Sequence, residues 1–349
     1  MQKWFVTGIS GSGRIELLDE LKDYCKNTLH KNVIVHDVGQ LIHDECLRNG
    51  IPIKDKKFLD IDRPLISSLR SSAIKEVKLS ILENTNVDIH FIGIHACFRW
   101  RNRLIPGISF PDVLQLNPDG FIHVHRNIAQ IIETNQRNPI WEKENLPDPE
   151  STQNWMIEEE FITEVLAQVT SKPIFVVSHD HNINNLADLW FTKKKKIYLS
   201  YPITEIKKDD PELLEQIQGP ILNRLEKLFV VFNPLSIQDM SLTYPDAQEV
   251  MPELVDKLSL NAKDIIKKRT IERDFQFIDQ SDAVVVFYLT NKVSQGVLAE
   301  IYYAHRNMKP IYMALTANRS PFIEDTVDVI ESDIEKLFIH LEEFAGQLS

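Results

Sequence analysis

The chain has 349 residues, 43% of them hydrophobic and 26% charged, with a formal net charge of −12. That length predicts two domains. The composition is that of an ordinary globular protein, and the acidic balance excludes a broad nucleic-acid footprint.

Cys25, Cys46 and Cys97 are too widely spaced for a disulfide framework or a zinc knuckle. No apolar run reaches bilayer-spanning length, and the chain opens directly on a strand-like WFVTG without a signal peptide, so a cytoplasmic setting and no membrane partner are expected.

Residues 4–7 form the first predicted strand. Gly8-Ile9-Ser10-Gly11-Ser12-Gly13-Arg14 follows, and then an amphipathic helix carrying Ile15, Leu17, Leu18, Leu21 and Tyr24. Strand, glycine-rich turn and helix are the context that a phosphate-binding loop requires, because successive backbone N–H groups and the helix N-terminus cradle phosphate oxygens. Gly8 and Gly13 match the spacing of G-x-x-x-x-G-K-[ST], but Arg14 and Ile15 stand at its last two positions. Arg14 supplies a cation, whereas Ile15 supplies no hydroxyl for Mg²⁺. The loop is expected to bind a nucleotide such as ATP or ADP and to be poorly equipped to hydrolyse it.

Further strands are predicted at 32–36, 87–94, 121–124 and 173–177, with helices at 65–83 and 158–169. Through the loop and this strand rhythm, the first half resembles the adenylate-kinase-like branch of the P-loop nucleotide kinases. The acid such enzymes carry at the end of a catalytic strand has no counterpart here, since Gly93 and His95 occupy that place. Arg99, Arg101, Arg103, Arg126 and Arg137 are candidate phosphate contacts, and equally readable as solvated surface. His123/His125 and His179/His181 alternate so that each pair faces one way. Neither pair has a clear third ligand in the sequence, so polar or nucleotide contacts at a strand end are preferred to a metal. The lysine run 193–196 reads as a solvated linker and places the domain boundary between 192 and 193.

The second half continues with a strand at 197–200, a helix at 211–227 and a strand at 228–232 closed by Asn233-Pro234. The irregular stretch 235–252, with Tyr244-Pro245-Asp246, reads as a lid, and helices follow at 252–268 and 271–280. Asp282 then opens AVVVFY (283–288), an unbroken β-branched and aromatic run of the kind that forms a central parallel strand. Ser294-Gln295-Gly296 opens the next helix, with Ser294 suited to an N-cap and Gly296 to close backbone approach. Glu300 is the lone acid in the otherwise apolar helix that follows. A strand at 309–313 and a helix at 333–344 close the chain. The predicted fold class is α/β, with two doubly wound parallel-sheet domains: a P-loop NTPase-like domain at 1–192 and a flavodoxin-like domain at 193–349. Ligands of such sheets sit at the carboxyl ends of the strands, so Tyr198, Ser200, Ser294 and Glu300 are expected over one crevice.

Four segments in register, IYLSYPIT (197–204), RTIERDFQFIDQSD (269–282), AVVVFY and SQGVLAE (294–300), resemble the nucleoside 2-deoxyribosyltransferase family and its nucleotide-hydrolysing relatives. The resemblance implies that Glu300 attacks C1′ of the sugar, that Asp282 assists protonation, and that Tyr198 orients the glutamate. The chemistry is that of paired carboxylates in glycoside cleavage. Transferases of the family tend to carry an acid where this chain has Ser294, and the hydrolases of 2′-deoxynucleoside 5′-monophosphates carry Ser. A phosphorylated substrate is therefore implied. Retron-associated effectors with this domain attack NAD or nucleotides in phage defence, and family members commonly oligomerise. The expectation is an N-glycosidase acting on a deoxynucleoside monophosphate or NAD, needing no cofactor, fused to a nucleotide-binding regulatory domain in a homo-oligomer. A 2-deoxyribosyltransferase, a P-loop nucleotide kinase and a non-catalytic nucleotide sensor are the alternatives.

Overall fold

Two sets of apolar strands become the two sheets of the protein. The computed structural model describes residues 1–53, 58–100, 103–138, 141, 146–237, 239–243, 256, 258–316 and 320–347. It divides into two compact units, Met1–Ile183 with Ile237–Lys267 and Asn184–Ser236 with Lys268–Ser349. Each is α/β with a parallel sheet of five strands.

In the first unit β1 (Gln2–Thr7), β2 (Val33–Asp37), β3 (Ile89–Gly93), β6 (Gly120–His125) and β7 (Ile174–Ser178) lie in the order β2-β3-β1-β6-β7. Between them β4 (Cys97–Trp100) and β5 (Arg103–Pro106) form an antiparallel hairpin. The central strand β1 pairs Val6 with Gly93 on one side and Thr7 with His123 on the other. Helices cover both faces, which is why these strands read as continuous apolar runs rather than alternating ones. Phe5, Ile92 and Phe121 pack with Ile42, Leu69, Ile74 and Val77 of the helices Val38–Arg48 and Arg63–Glu83. From β1 the chain runs to the edge strand β2, returns to β3 beside β1, and then crosses to β6 and β7 on the other side. The loop after β1 therefore opens at the reversal of strand order, where doubly wound sheets bind ligands.

The second unit holds β8 (Lys196–Ser200), β9 (Val230–Phe232), β10 (Ala283–Tyr288), β11 (Ile311–Leu315) and β12 (Val329–Glu331), ordered β12-β11-β10-β8-β9. Counted within the unit this is the 2-1-3-4-5 order of flavodoxin-type sheets, with the switch point between β8 and β10. Every residue of β10 is buried. One face packs Ala283, Val285 and Phe287 against Leu337, Phe338 and Leu341 of the closing helix Ile334–Gly346. Asp333 caps that helix by accepting from the Glu335 N–H. The other face of the sheet is covered by the helix Gln295–Arg306, which buries Val297, Ile301 and Ala304.

The nine strands expected from the sequence appear within two residues at either end, and the hairpin β4–β5 and β12 are additional. Residues 252–268 and 271–280 were expected as two helices, and the described part is one helix, Leu260–Asp279. Nothing between 268 and 271 breaks it, since neither Gly nor Pro occurs there. The lysine run is no solvated linker. Lys194 Nζ donates to Asp188 and to the Glu226 carbonyl, Lys195 Nζ donates to the Phe344 carbonyl, and Lys196 Nζ pairs with Asp282. The second unit begins earlier, at the helix Ile183–Phe191, and residues 237–267, expected with the second domain, belong to the first unit. Asp239 there accepts a hydrogen bond from the Ile128 N–H. Most of the expected lid, including Tyr244, Pro245 and Asp246, lies outside the described residues. All three cysteines are free and buried, and no described helix is long and apolar enough to cross a membrane.

Asn185 fixes the start of the second unit. Its side chain, 2% exposed, donates to the Phe229 carbonyl at 2.6 Å and accepts from the Val231 N–H at 2.8 Å. Asn185→Ala leaves two buried backbone groups unpaired and is expected to cost about 2–6 kcal/mol, at about 1–3 kcal/mol for each lost partner. Urea denaturation followed by circular dichroism measures this, and a change below about 0.5 kcal/mol would show that the side chain is not an anchor.

Candidate active site and candidate nucleotide loop

The switch point of the second sheet places Tyr198 and Ser200 on one face of β8, because alternate strand residues point the same way. Both are fully buried. Tyr198 Oη donates to Glu300 Oε1 at 3.1 Å, and Ser200 Oγ donates to Glu300 Oε2 at 2.5 Å. Each oxygen of Glu300 thus has its own hydroxyl donor. Burial, and then the charge of Asp274, push the Glu300 carboxyl up to about 8, against the opposing pull of the Ser200 and Tyr198 hydrogen bonds. Asp274 comes from the helix Leu260–Asp279 and is itself raised by burial, partly offset by Arg273, whose Nη2 donates to it at 3.0 Å. Two neighbouring half-buried carboxyls cannot both ionise cheaply, so the pair keeps a proton near neutral pH. The Tyr198 phenol is pushed far above its ordinary value by burial and by Glu300.

Around this centre Tyr201 Oη accepts from the Gln218 amide, and the Asn233 amide donates to Gln218 Oε1 at 3.0 Å. Burial raises the Tyr201 phenol as well, with Glu300 adding to it. At the end of β10, Tyr288 Oη donates to the Lys292 carbonyl and accepts from the Ser294 N–H at 2.7 Å, which shapes the loop into the next helix. Ser294 is buried, and its side chain makes no bond to the helix it precedes. Nothing lies within 4 Å of the place a Cβ on Gly296 would take, so the helix start is open to close approach.

The structure brings Tyr198, Ser200 and Glu300 together and leaves Asp282 apart. Asp282 is exposed at the opposite, amino end of β10, where it accepts from the Lys196 N–H at 2.7 Å and pairs with Lys196 Nζ at 3.0 Å. Six strand residues at about 3.3 Å each separate the two ends. Asp274 takes its place beside Glu300. Its signal was present in the sequence: it stands three and four positions before the buried Phe277 and Ile278, hence an acid on the apolar face of a helix. The start of this helix does not favour the ionised form of Glu300, whose carboxyl is raised. Glu300 is the sixth residue of Gln295–Arg306, beyond the first turn within which the helix dipole acts.

In the first unit Gly8, Gly11 and Gly13 all have positive φ, at 150, 84 and 74°. At Gly13 a Cβ would also stand 2.2 Å from the His179 ring, so no other residue fits there. Glu159, fully buried, holds the loop by accepting from the N–H groups of Gly8, Ala96 and Cys97. Burial raises that carboxyl, but His95 and the Cys97 and Ala96 N–H groups outweigh it and hold the group below the usual range. Arg14 turns inward, donating to the Gly8 carbonyl at 2.5 Å and to His95 Nε2 at 3.1 Å. Its burial lowers its pKa, against Asp37, Glu159 and Glu16. Ser12 Oγ is buried without a hydrogen-bond partner, and no described bond takes the N–H of Gly11, Gly13 or Arg14. The loop opens on a cavity of about 390 Å³ whose walls include Asp37, His43, Phe98, Trp100, Trp141 and Trp155.

Ile15 is a packing residue in this arrangement. A Cβ on Gly93 would meet its Cδ1 at 2.6 Å, so the bare strand end of β3 accommodates it. Of the candidate arginines, Arg99 pairs with Glu158 at 2.5 Å, Arg137 pairs with Glu133, Arg126 donates to Thr134 at 3.5 Å, and Arg103 is exposed. None of these four lines the cavity, and Arg101 lies outside the described residues. His179 Nδ1 pairs with Asp180 at 2.9 Å, and the His181 N–H donates to the Ser178 carbonyl. His123 and His125 acquire a neighbour that the sequence did not reveal, Glu160.

No protein-family model matches the chain, and no curated protein matches it either.

The coupling of the two acids is directly measurable. Asp274→Asn removes the nearby charge, so Glu300 should ionise at lower pH than in the parent protein, where burial and Asp274 push its carboxyl up to about 8. A ¹³C-glutamate NMR titration reads this shift, and an unchanged Glu300 titration would show that the two carboxyls do not interact. The sign for stability also follows. The folded state holds this proton from the ordinary glutamate value of about 4.3 upwards, so this contribution is full below about pH 4 and fades as pH rises through the Glu300 value.

Proposed function

We propose that the second unit is an N-glycosidase that cleaves the base–sugar bond of a nucleotide, and that the glycine loop of the first unit binds a nucleotide without rapid turnover. The observation that carries the first part is the Glu300 carboxyl, held between Tyr198 and Ser200 at the sheet's switch point beside Asp274. Base release needs an ionised nucleophile and a proton for the departing base. One proton shared by two carboxyls meets both needs when it resides on Asp274.

On a deoxynucleoside monophosphate, Glu300 attacks C1′ and the base leaves, taking the proton of Asp274 onto a ring nitrogen. Asp274, now ionised, takes a proton from water as that water attacks C1′ and frees Glu300. The sum is deoxynucleoside monophosphate plus water giving free base and sugar phosphate; nicotinamide leaves NAD as the neutral ring without taking a proton, so there the sum is NAD plus water giving nicotinamide, ADP-ribose and a proton. Tyr198 and Ser200 fix the attacking carboxylate and stabilise its charge. Asp282, at the far end of β10, has no part in this scheme. The buried Ser294 hydroxyl, uncommitted to its own helix, and the open backbone at Gly296 support a 5′-phosphate at the helix start, hence a deoxynucleoside monophosphate or NAD. Transfer to a second base is the same chemistry with a different acceptor.

Glu300→Gln is expected to keep the fold and to lower base release by roughly 10³-fold or more, with Asp274→Asn losing about 10²- to 10⁴-fold. Chromatography of free base from a deoxynucleoside monophosphate, from NAD and from a nucleoside measures this, with a second base added to detect transfer. A folded Glu300→Gln protein working at the wild-type rate would sink the mechanism. In the parent enzyme kcat/KM should fall as pH rises through about 8, because the pair then loses the proton the leaving base requires. Ser294→Ala should weaken specificity for the phosphorylated substrate about 10- to 150-fold, one hydrogen bond to a charged group at about 1.5–3 kcal/mol.

For the loop, the unpartnered Ser12 hydroxyl, the N–H groups of Gly11, Gly13 and Arg14 and the tryptophans of the cavity support a phosphate held below a stacked base. Ile15, packed on Gly93, leaves no hydroxyl for Mg²⁺, which disfavours kinase chemistry. ATP or ADP should therefore quench tryptophan fluorescence saturably, with Arg14→Ala weakening the effect and Mg²⁺ adding little turnover. Rapid Mg²⁺-dependent hydrolysis would contradict this reading.

A further inference from the structure

We infer that His123, His125 and Glu160 form a binding site for a divalent transition-metal ion, with Zn²⁺ the best match. The two histidines end β6 and share a face, their rings centred 4.8 Å apart at 78°. The helix Pro149–Thr170 brings Glu160 to the same spot, and one ligand atom from each residue lies within 4.8 Å of the others. All three residues are buried.

His125 Nε2 supplies the independent sign. It is buried and makes no hydrogen bond, yet it stands 3.3 Å from Glu160 Oε2. Two ligand atoms on a tetrahedral ion with bonds of about 2.0–2.2 Å lie about 3.3–3.5 Å apart. The pair therefore already has the spacing of one edge of such a site.

The hydrogen bonds around His123 set its tautomer. Thr163 Oγ1 spends its proton on the Glu159 carbonyl at 2.7 Å, so at its 2.8 Å contact with Thr7 it accepts. Thr7 Oγ1 has one proton, directed to Thr163 or to the Ile122 carbonyl at 3.3 Å. At 3.0 Å from His123 Nδ1 it must then accept, and Nδ1 carries the hydrogen. In the neutral ring the lone pair is on Nε2. Holding one ring nitrogen by a hydrogen bond so that the other presents its lone pair is how ligating histidines are oriented. Two imidazoles and a carboxylate suit Zn²⁺ with a coordination position left open, whereas Mg²⁺ and Ca²⁺ prefer all-oxygen sets.

The site also abuts the glycine loop. Val124 lies between the two histidines, and its carbonyl oxygen is 3.0 Å from where a Cβ on Gly8 would be. An ion on His123 and His125 therefore stiffens the strand end on which that loop rests.

Nucleotide-free, full-length protein should bind one Zn²⁺ per chain in calorimetry, bind Mg²⁺ far more weakly there, and gain thermal stability with Zn²⁺. Co²⁺ should give the strong visible bands of a four- or five-coordinate ion. Glu160→Gln and His125→Gln should weaken Zn²⁺ by more than about 100-fold, and Thr7→Val, which removes only the partner of His123, by about 10-fold. Should a ligand variant misfold, the wild-type Co²⁺ spectrum still decides, since weak octahedral bands or no uptake overturn the site. Zn²⁺ binding unchanged in a folded Glu160→Gln protein overturns it equally.

Discussion

A carboxylate taken out of water must be met by donors or keep its proton. Each unit has a buried acid at the carboxyl edge of its sheet, and the two answer this requirement in opposite ways. Glu159 receives three backbone N–H groups and faces His95, and its charge is stabilised. Glu300 receives only two hydroxyls and sits beside another acid, and its charge is penalised. The first arrangement makes an anchor that fixes the loop after β1 and the turn after β3. The second makes a carboxyl that keeps its proton to higher pH, the feature on which the proposed chemistry rests.

The same edge logic explains what the glycine loop has become. Its strand, turn and helix reproduce a phosphate cradle, and three positive-φ glycines give the backbone its path. The position that would carry a Mg²⁺-binding hydroxyl has gone to packing, with Ile15 wedged over Gly93. Arg14 is folded onto the Gly8 carbonyl and His95. The shape of a phosphate cradle is present and a hydroxyl at position 15 is not, and on this the proposal of a loop that holds a nucleotide rests.

Much of this was legible in the chain. AVVVFY could be nothing but a strand covered on both faces, and the period of two along KIYLS put Tyr198 and Ser200 on one side. Other features were hidden for identifiable reasons. Asp282 adjoins the strand in sequence, but a strand has two ends, and adjacency to the wrong one placed it beside Lys196. Asp274 needed helical spacing read through a mostly polar segment. The hairpin β4–β5 has four residues in each strand, with Arg99 interrupting the first and Arg103 opening the second. The four lysines read as one solvated block because no local rule foretells partners as distant as Phe344 and Asp282. Glu160 likewise meets His125 only through the packing of a helix on β6, which no motif spacing encodes.

The acid pair of the second unit also shows why a raised carboxyl is compatible with a nucleophilic role. A nucleophile must be ionised and a leaving base must be protonated, and a single glutamate cannot be both. Two coupled carboxyls retaining one proton contain both states at once, so the question is only which oxygen holds the proton. Arg273 bonds to Asp274 and favours charge there, whereas Tyr198 and Ser200 favour it on Glu300. The two preferences oppose each other, because each acid has its own stabilising donors. In the proposed reaction, a developing positive charge at a sugar carbon beside Glu300 would tip the balance towards ionised Glu300 and protonated Asp274. On that proposal the two roles are assigned as the glycosidic bond begins to break.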